Sequence, residues 1–364
     1  MKIAEIISYL ESLAPLSLQE EYDNAGLITG DASHVCSGIL CCLDATEEVI
    51  REAVSKKINL VVAHHPIIFR GLKKITGKNY VERSIIAAIR NDVAIYAIHT
   101  NLDNVLEGVN GRIAQLIGLE TLAPLFPKEA VLKKLFTFVS TGQAEKLRNA
   151  LFSAGGGYIG NYSECSFNSE GVGTFRANEH ANPYVGEIGK QHQEQETKIE
   201  LVFPAYLEQQ IISTLKKFHP YEEPAFDIIS LDNSMGRIGA GVLGQLAQPM
   251  KAIEFLDLLK KQFRTGIIRH TRLIKEEISK VAICGGAGSF LISRALSQGA
   301  DIFVTSDIKY HEFFDAHDRM ILADIGHYES EQFTINLLQE ILAEKFPTFA
   351  VLKTGINTNP VHYS

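Results

Sequence analysis

The sequence predicts an α/β protein with two similar α/β halves and a different domain inserted between them. Near the start of the chain, short apolar runs alternate with helix-period segments: GILCCLDA, TEEVIREAVSKK, INLVVAHH, VERSIIAAIRND and VAIYAIHT. Uninterrupted apolar runs are typical of parallel strands that are buried on both faces. The same alternation returns near the end of the chain in KVAICGG, SFLISRALSQG, ADIFVTSD and RMILADIGH. The centre of the chain follows a different order.

The elements of the centre are predicted in the order strand, helix, strand, strand, helix, strand. The corresponding segments are LFTFVS, AEKLRNALFSAG, SECSFNSEGVGTFRA, KIELVFP, LEQQIISTLKKF and PAFDIISLDN. This is the order of a split βαβ, ferredoxin-like unit. The Gly-rich stretch 153–160 and the polar stretch 189–197 are predicted to be its flexible connections. We therefore predict an N-terminal α/β half over 1–125, an inserted ferredoxin-like α+β domain over 126–235 and a C-terminal α/β half over 236–364.

Composition narrows the class of protein. The chain has 364 residues, of which 46% are hydrophobic, so each domain can bury a core of its own. A net charge of -8 argues against a protein that binds nucleic acid by neutralising phosphates. The cysteines are odd in number and include no CxxC pair, which predicts free thiols in a reducing compartment. Without a basic signal-peptide start or a run of ~18 apolar residues, the chain is expected to be cytoplasmic.

Polar side chains stand where several predicted strands end. They are His64, His65, His99, Asp103, His327 and Glu331. In a parallel α/β sheet, ligands bind outside the carboxyl ends of the strands, so these groups are expected to converge. Successive strand residues point to opposite faces, and both His64 and His65 can serve one site only where the chain turns. Pro66 favours such a turn.

Each of these residues has a commoner structural role when it is considered alone. A histidine at a strand end is usually a polar side chain leaving the sheet, and Asp103 fits a helix N-cap or a turn. His327 and Glu331 fit the start of a helix, where acidic side chains are favoured. Together, however, histidines and carboxylates from several strand ends are typical of zinc, iron or manganese sites.

The number of candidate ligands predicts two metal ions per chain. A single catalytic zinc takes about three protein ligands, whereas a carboxylate-bridged metal pair accommodates more. The predicted ligands are His64, His65, Asp103, His327 and Glu331. His99 is predicted to be a sixth ligand, a hydrogen-bond partner of a ligand or a proton-transfer group. Divalent zinc is expected first, with iron or manganese as alternatives.

A series of motifs, in this order, resembles the Nif-three-like family, whose members are often labelled GTP cyclohydrolase I type 2 homologues. They are EYDNAGL (21–27), AHHPIIF (63–69), HTNLD (99–103), GGAGS (285–289), VTSDIKYHE (304–312) and GHYESE (326–331). The resemblance implies two α/β halves that form one core around a dinuclear metal centre, with the five predicted ligands at the family's ligand positions. The same resemblance implies a toroidal homohexamer. It also implies a PII/CutA-like insert, since FHPYEEPAFDI (218–228) is similar to the signature of that domain. Tyr22 stands where the family commonly has tryptophan, which we expect to alter packing more than chemistry.

These features favour a metal-dependent hydrolase that acts on a nucleotide-like or phosphorylated small molecule, with His99 or Glu331 transferring protons. GTP itself is less well supported, because the chain has no GxxxxGKS/T loop. GGAGS and the basic loop RGLKKITGK (70–78) could contact an anionic ligand, although a structural turn and a solvated loop are the commoner interpretations. Two alternatives stay open: a non-enzymatic metal-dependent regulatory protein and a metal chaperone.

The insert carries none of the predicted metal ligands, so we expect it to serve assembly or access to the site. Its HPYEEP motif (219–224) presents His219, Tyr221, Glu222 and Glu223, which could form a small-molecule site. A polar turn between helix and strand is the commoner interpretation of such a motif.

Overall fold

The structure is a computed structural model that describes residues 1–129 and 131–363. It divides into two compact units, one formed by Met1–Pro127 with Arg237–Ser364 and the other by Lys128–Gly236. The sequence predicts an insert that begins at 126, but Phe126 and Pro127 pair with Ala240 and Gly239 in a sheet of the first unit. Strand pairing therefore assigns these two residues to the first unit.

The first part of the first unit alternates strands and helices after an initial helix. Its strands are β1 (Gly26–Thr29), β2 (Ile39–Asp44), β3 (Leu60–His65), β4 (Ala94–Ala97) and β5 (Leu119–Pro127). Its helices are α1 (Ile3–Leu13), α2 (Glu47–Ser55), α3 (Tyr80–Arg90), α4 (Thr100–Asp103) and α5 (Val109–Leu116), with a 3-10 turn at Leu16–Leu18. The side chains of Thr46 and Asn79 cap α2 and α3 by accepting hydrogen bonds from backbone N–H groups. Strands β2, β3 and β4 are buried, as their apolar sequences predict.

The second unit is built on one antiparallel sheet. In the described part of Lys128–Gly236, the elements follow the order β6 (Leu132–Ser140), α6 (Ala144–Ser153), β7 (Phe167–Arg176), β8 (Gln191–Pro204), α7 (Glu208–Phe218) and β9 (Phe226–Leu231). Short 3-10 turns at Thr141–Gln143 and Ala205–Leu207 precede the two helices. The sheet order is β7-β8-β6-β9. Leu147 and Leu151 of α6 and Ile211 and Leu215 of α7 pack in one buried cluster with Phe203.

The structure agrees with only one of the two flexible connections predicted for the centre of the chain. The prediction of a flexible connection over 189–197 is wrong, since residues 191–197 belong to β8 and pair with β7. Side chains along a strand alternate between two faces, so a polar segment can form a strand wherever one face is open. The Gly-rich stretch 153–160 lies outside the helices and strands, apart from Ser153 at the end of α6.

The last part of the chain returns to the first unit. Its strands are β10 (Gly239–Lys251), β11 (Arg269–His270), β12 (Glu277–Ala287), β13 (Ile302–Ser306), β14 (Ile321–Asp324) and β15 (Val351–Lys353). Its helices are α8 (Ala252–Phe263), α9 (Ile292–Ser297), α10 (His327–Glu331) and α11 (Thr334–Lys345), with 3-10 segments at Ser289–Leu291 and Tyr310–Ala316. This mixed α/β arrangement agrees with the predicted class.

The two halves of the first unit exchange strands. One sheet has the order β1-β4-β3-β2-β15, in which β15 of the last part pairs in parallel with β2. The other has the order β11-β14-β13-β12-β10-β5, in which β5 of the first part pairs antiparallel with β10. A single large hydrophobic cluster includes residues of both parts, such as Tyr96 and Phe255. The halves therefore share one core.

Parallel pairing in both sheets brings strand ends together. Strands β2, β3 and β4 are parallel neighbours, and β12, β13 and β14 form a second parallel set. Their carboxyl ends carry the side chains predicted from the sequence.

Among the helices of the described residues, none combines the length and the apolar character that crossing a membrane requires.

Candidate metal centre

The side chains predicted from strand ends lie around one site in the first unit. His64 and His65 end β3, His99 directly precedes α4, Asp103 ends α4, and α10 carries His327 and Glu331. Two groups have possible ligand atoms within 4.8 Å of one another, namely His64 with His65 and His99, and His65 with His327 and Glu331. Residues that are far apart in the sequence thus meet because they lie at or near the carboxyl ends of parallel strands.

One carboxylate oxygen faces two imidazole nitrogens. Glu331 Oε2 lies 2.9 Å from His65 Nε2 and 3.1 Å from His327 Nε2, and the two nitrogens lie 3.4 Å apart. Glu331 is 3% exposed, so its charge depends on groups inside the protein for compensation. This trio has the nitrogen and oxygen atoms that a divalent transition metal binds.

The second oxygen of Glu331 faces another pair of groups. Glu331 Oε1 lies 3.9 Å from His64 Nε2, which lies 3.7 Å from Asp103 Oδ1. His64 Nε2 and Asp103 Oδ1 are both buried and have no hydrogen-bond partner among the described residues. Leaving buried polar atoms unpaired is costly, whereas a cation between them would satisfy both. The donor set and these orphaned atoms therefore fit a metal ion here as well, with Glu331 shared between the two positions.

Each histidine of the site is oriented through its Nδ1 atom. The partners are Ile98 O for His64 at 2.8 Å, Asp44 Oδ1 for His65 at 2.8 Å, Asp23 Oδ1 for His99 at 2.7 Å and Asp307 Oδ2 for His327 at 2.7 Å. An Nδ1–H donated to oxygen leaves Nε2 facing the site, where its lone pair can bind a metal once that nitrogen is deprotonated. The rings are thus held with Nε2 available to the site, as in metal-ligating histidines.

The two parts of the first unit use the same supporting arrangement. Asp44 ends β2 and lies opposite His65 on the neighbouring parallel strand β3. Asp307 follows β13, and His327 follows the neighbouring parallel strand β14. In each part, an aspartate at one strand end holds a histidine at the next. Each part therefore contributes one oriented histidine to the trio centred on Glu331.

Protonation differs sharply among the histidines in the absence of metal. Burial lowers the pKa of His64 to about 3, so this ring is neutral at neutral pH. Burial also lowers the pKa of His65, but hydrogen bonds to Asp44 and Glu331 outweigh it and raise the value to about 10. Burial also lowers the pKa of His327, but the charge of Glu331 and hydrogen bonds to Asp307 and Glu331 outweigh it and raise the value to about 11. Protons on His65 and His327 thus compensate the carboxylate that a metal would otherwise compensate.

The pKa values of the two carboxyl groups, Asp103 and Glu331, also shift in opposite directions. Burial raises the pKa of Asp103 well above its ordinary value, and the charge of Glu331 adds to this effect. For Glu331, burial opposes ionisation, but the charges and hydrogen bonds of His327 and His65 hold its pKa well below the ordinary value. The charges of the histidines thus outweigh burial for Glu331 but not for Asp103, which is the less compensated of the two carboxyl groups.

A glycine makes room for the shared carboxylate. Gly286 ends the buried part of β12 with φ +64°, and a Cβ atom added there would lie 2.3 Å from Glu331 Oε1. Its N–H donates to Ser330 Oγ at 3.0 Å, and its carbonyl accepts from Thr305 Oγ1 at 3.1 Å. The GGAGS motif thus has a structural role next to α10, which the sequence interpretation left open beside phosphate binding.

The site opens into a cavity of about 680 Å³. Exposed aromatic side chains line it, namely Tyr22, Phe69, Tyr80, Phe290 and Tyr363. The carboxylates of Asp44, Asp307 and Glu329 line the cavity as well. Arg269 is also part of the described lining. The basic loop 70–78 contributes none of the described lining residues, so the prediction that its charges meet an anionic ligand gains no support from this cavity. The cavity is therefore aromatic and acidic when no metal is bound.

The HPYEEP motif lies in the second unit. His219 Nε2 lies 3.0 Å from the Phe138 carbonyl, and His219 Nδ1 accepts from Tyr221 N at 3.1 Å. One ring nitrogen of His219 therefore serves the turn, and the other connects the turn to β6. Tyr221, Glu222 and Glu223 line a separate cavity of about 690 Å³, and the Tyr221 hydroxyl donates to Glu196 at 2.8 Å.

The sequence interpretation missed the aspartates that orient the histidines. Asp44 and Asp307 both lie at the carboxyl ends of predicted strands, so the rule that identified the histidines could also have identified them. Asp23 precedes β1 and reaches His99 from another part of the fold, and no local signal in the sequence indicates that contact.

The chain is similar to known proteins over nearly its whole length. Residues 1–360 match a family described as Duf34/NIF3 (NGG1p interacting factor 3). A relative from Halalkalibacterium halodurans, named GTP cyclohydrolase 1 type 2 homolog, is 38% identical over 99% of each chain. A crystal structure of a Bacillus cereus protein related to NIF3 matches with a TM-score of 0.88 and 36% identity, covering 100% of this chain and 99% of that one. A Staphylococcus aureus protein structure matches with a TM-score of 0.78 and 31% identity over the same shares.

Proposed function

Because the chain belongs to the Duf34/NIF3 family, we propose that it is a dinuclear metal-dependent hydrolase of a nucleotide-like or phosphorylated small molecule. The observation that carries this proposal is the position of Glu331, whose two oxygens face two separate sets of ligand atoms beside an open cavity. Carboxylates shared in this way are typical of paired-metal sites in hydrolases.

The residues present can be divided between two metal positions. His65, His327 and Glu331 would hold one ion, while His64, Asp103 and the other oxygen of Glu331 would hold the second. Mixed nitrogen and oxygen ligands suit zinc, iron and manganese, of which we expect zinc first. The chemistry that such ions supply is Lewis-acid activation of a substrate oxygen and of water.

His99 is the residue that we assign to proton transfer. Its Nδ1 is tied to Asp23, and its ring lies 5.2 Å from the ring of His64 and 5.4 Å from that of His65, centroid to centroid. A histidine oriented by a carboxylate can accept a proton on Nε2 and return it later. Glu331 is the less suitable candidate, because both of its oxygens face histidine nitrogens.

The cavity indicates the kind of substrate. About 680 Å³ accommodates a molecule of nucleotide size, and exposed aromatic side chains such as Tyr22 and Phe69 offer faces for stacking a planar ring. The relatives' name, GTP cyclohydrolase 1 type 2 homolog, agrees with a purine-like ligand. The acidic lining makes an anionic ligand dependent on bound metal, since like charges would otherwise repel it.

Assembly and the second unit are part of the same proposal. We propose that the second unit, predicted over 126–235 and bounded by Lys128 and Gly236 in the structure, forms a ferredoxin-like, PII/CutA-like domain. It would serve assembly or access, within a toroidal homohexamer. The element order of the second unit, strand-helix-strand-strand-helix-strand, supports this assignment. The second unit contains none of the residues that we assign to the metal centre.

The main alternatives are a metal-dependent regulatory protein and a metal chaperone. A chaperone must release its metal, and His64 and Glu331, at 0% and 3% exposed, are less accessible for such release than surface ligands would be. The regulatory role predicts ligand binding without turnover.

A substrate screen separates the enzyme from both alternatives. Metal-loaded protein is incubated with GTP, phosphoesters and cyclic nucleotides, with His65→Ala as the control. The proposal predicts turnover that needs metal and disappears in His65→Ala. Metal-loaded protein that turns over none of these compounds, or turnover that survives in His65→Ala, would contradict it.

A further inference from the structure

The chain after β15 returns to the metal centre without forming a helix or a strand. Residues 354–363 run along the first unit and contribute Asn359, Pro360, Val361 and Tyr363 to the lining of the cavity. The start of this segment is fixed to α2, because Glu52 accepts hydrogen bonds from the Thr354 hydroxyl and from Gly355 N. We refer to residues 354–363 as the terminal segment.

The terminal segment contacts an aspartate that orients a proposed ligand. Thr358 Oγ1 donates to Asp44 Oδ2 at 2.6 Å, while Asp44 Oδ1 accepts from His65 Nδ1 at 2.8 Å. Each oxygen of Asp44 thus has its own hydrogen-bond partner. Since the Asp44 side chain is 34% exposed, water could compete for it if the hydroxyl were absent.

A second contact ties the terminal segment to the other part of the centre. Asn359 Nδ2 donates to Glu329 Oε1 at 3.0 Å, and Glu329 is buried in α10 between His327 and Glu331. Asn359 is itself fixed by hydrogen bonds with Asn357 and Val361 N. The neighbouring residues Thr358 and Asn359 therefore contact carboxylates beside both histidines of the Glu331 trio.

We infer that Thr358 is a positioning residue of the metal centre: its hydroxyl fixes the Asp44 carboxylate, which in turn orients His65 toward the metal. This inference rests on the proposed metal site but not on hydrolysis. Hydrogen-bond partners of metal-ligating histidines typically change metal affinity by about 10–100-fold when they are removed. Thr358 acts one contact further away, so we expect its loss to weaken metal binding by roughly tenfold at most.

The chain provides a matched control in the same segment. Thr354 and Thr358 are both half-buried, and each donates its hydroxyl to a carboxylate, but Thr354 donates to Glu52 and not to Asp44. Thr354→Val therefore loosens the terminal segment without touching the contact with Asp44. Thr358→Ser keeps the hydroxyl and should rescue the effect of Thr358→Val.

The experiment is a competition titration of the metal-free full-length protein with zinc and a chromogenic chelator. We expect Thr358→Val to bind the most affected zinc ion several-fold more weakly, by roughly tenfold at most, with Thr358→Ser and Thr354→Val close to wild type. In an Asp44→Ala background, Thr358→Val should cause no additional loss, because the two residues act in series. Circular dichroism and thermal unfolding check that all variants are folded.

Each outcome has a defined meaning. Wild-type affinity in Thr358→Val, an equal loss in Thr354→Val, or an additive loss with Asp44→Ala would each overturn the inference. Failure of the wild-type protein to bind zinc would instead overturn the proposed metal centre. Catalytic turnover is not needed for either decision.

Discussion

His64 Nε2 and Asp103 Oδ1 lie 3.7 Å apart in the interior, and neither atom has a hydrogen-bond partner among the residues that the structure describes. Burial and the charge of Glu331 raise the pKa of Asp103 well above its ordinary value. A carboxyl group whose pKa rises on folding destabilises the folded state at neutral pH. We therefore expect the pair to be unfavourable in the metal-free protein and to become more favourable when a cation lies between the two atoms.

This relationship predicts opposite effects of Asp103→Asn with and without metal. In the metal-free protein, the substitution removes an uncompensated buried acid and should raise the free energy of unfolding by on the order of 1 kcal/mol. In the metal-loaded protein it removes a ligand, so the stabilisation by zinc should fall. Urea unfolding with chelator and with zinc measures both, and Asp257→Asn at an exposed position of α8 is the control. Destabilisation of the metal-free protein by Asp103→Asn would contradict this interpretation.

Asp307 provides a test of how His327 is oriented. Its Oδ2 accepts from His327 Nδ1 at 2.7 Å, and its own φ is +56°, which asparagine tolerates better than alanine does. Asp307→Asn keeps the backbone and a neutral acceptor but removes the charge that makes the imidazole a stronger ligand. We expect zinc affinity to fall by about tenfold, measured by chelator competition. Unchanged affinity would show that the charge of Asp307 is irrelevant to metal binding.

Gly286→Ala should abolish metal binding, because the substitution displaces the carboxylate of Glu331. The new Cβ would lie 2.3 Å from Glu331 Oε1, so the carboxylate must move. Gly299→Ala is the matched control, since Gly299 also has a positive φ of +71° but has no atom within 4 Å of an added Cβ. Both variants should lose about 1–2 kcal/mol of stability to backbone strain. Elemental analysis should find metal loss in Gly286→Ala alone, and equal metal content in the two variants would contradict the role of Gly286.

A pH dependence of stability is expected from Asp301. Burial opposes its ionisation, but hydrogen bonds from Lys275, Lys280 N and Ser279 N outweigh burial and lower its pKa below 3.8. A lowered pKa stabilises the folded state above the unfolded pKa, and this contribution is lost as pH falls through the folded pKa. Asp301→Asn should therefore be less stable than wild type at pH 7, and the difference should shrink as pH falls below about 4. Urea unfolding across this range tests the expectation, which a pH-independent difference would contradict.

Much of the first unit could be predicted from the sequence because its signals are local. Continuous apolar runs indicated β2, β3, β4 and β13, and the family resemblance is confirmed by the match over residues 1–360. The exchange of β5 and β15 between the halves could not be predicted, because it depends on pairing between strands far apart in the chain. The polar start of β8 was missed for a related reason, since its pairing with β7 overrides its composition.

The candidate site also contains some residues that could be predicted from the sequence and others that could not. Histidines and carboxylates at strand ends could be identified, because parallel strands bring their carboxyl ends to one edge. The pairing of Asp23 with His99 and the contact between Thr358 and Asp44 depend on tertiary structure alone. The role of Gly286 requires the position of Glu331, which only the folded chain provides.

The number of transition-metal ions bound per chain is the most direct test of the dinuclear centre. Elemental analysis of the full-length protein at saturating zinc, after removal of free metal, should give about two ions per chain. His64→Ala should retain roughly one ion, because the His65, His327 and Glu331 trio stays intact, whereas Glu331→Ala should lose more, because both positions share this carboxylate. A wild-type value that stays at or below about one ion per chain under saturating zinc would contradict the dinuclear centre.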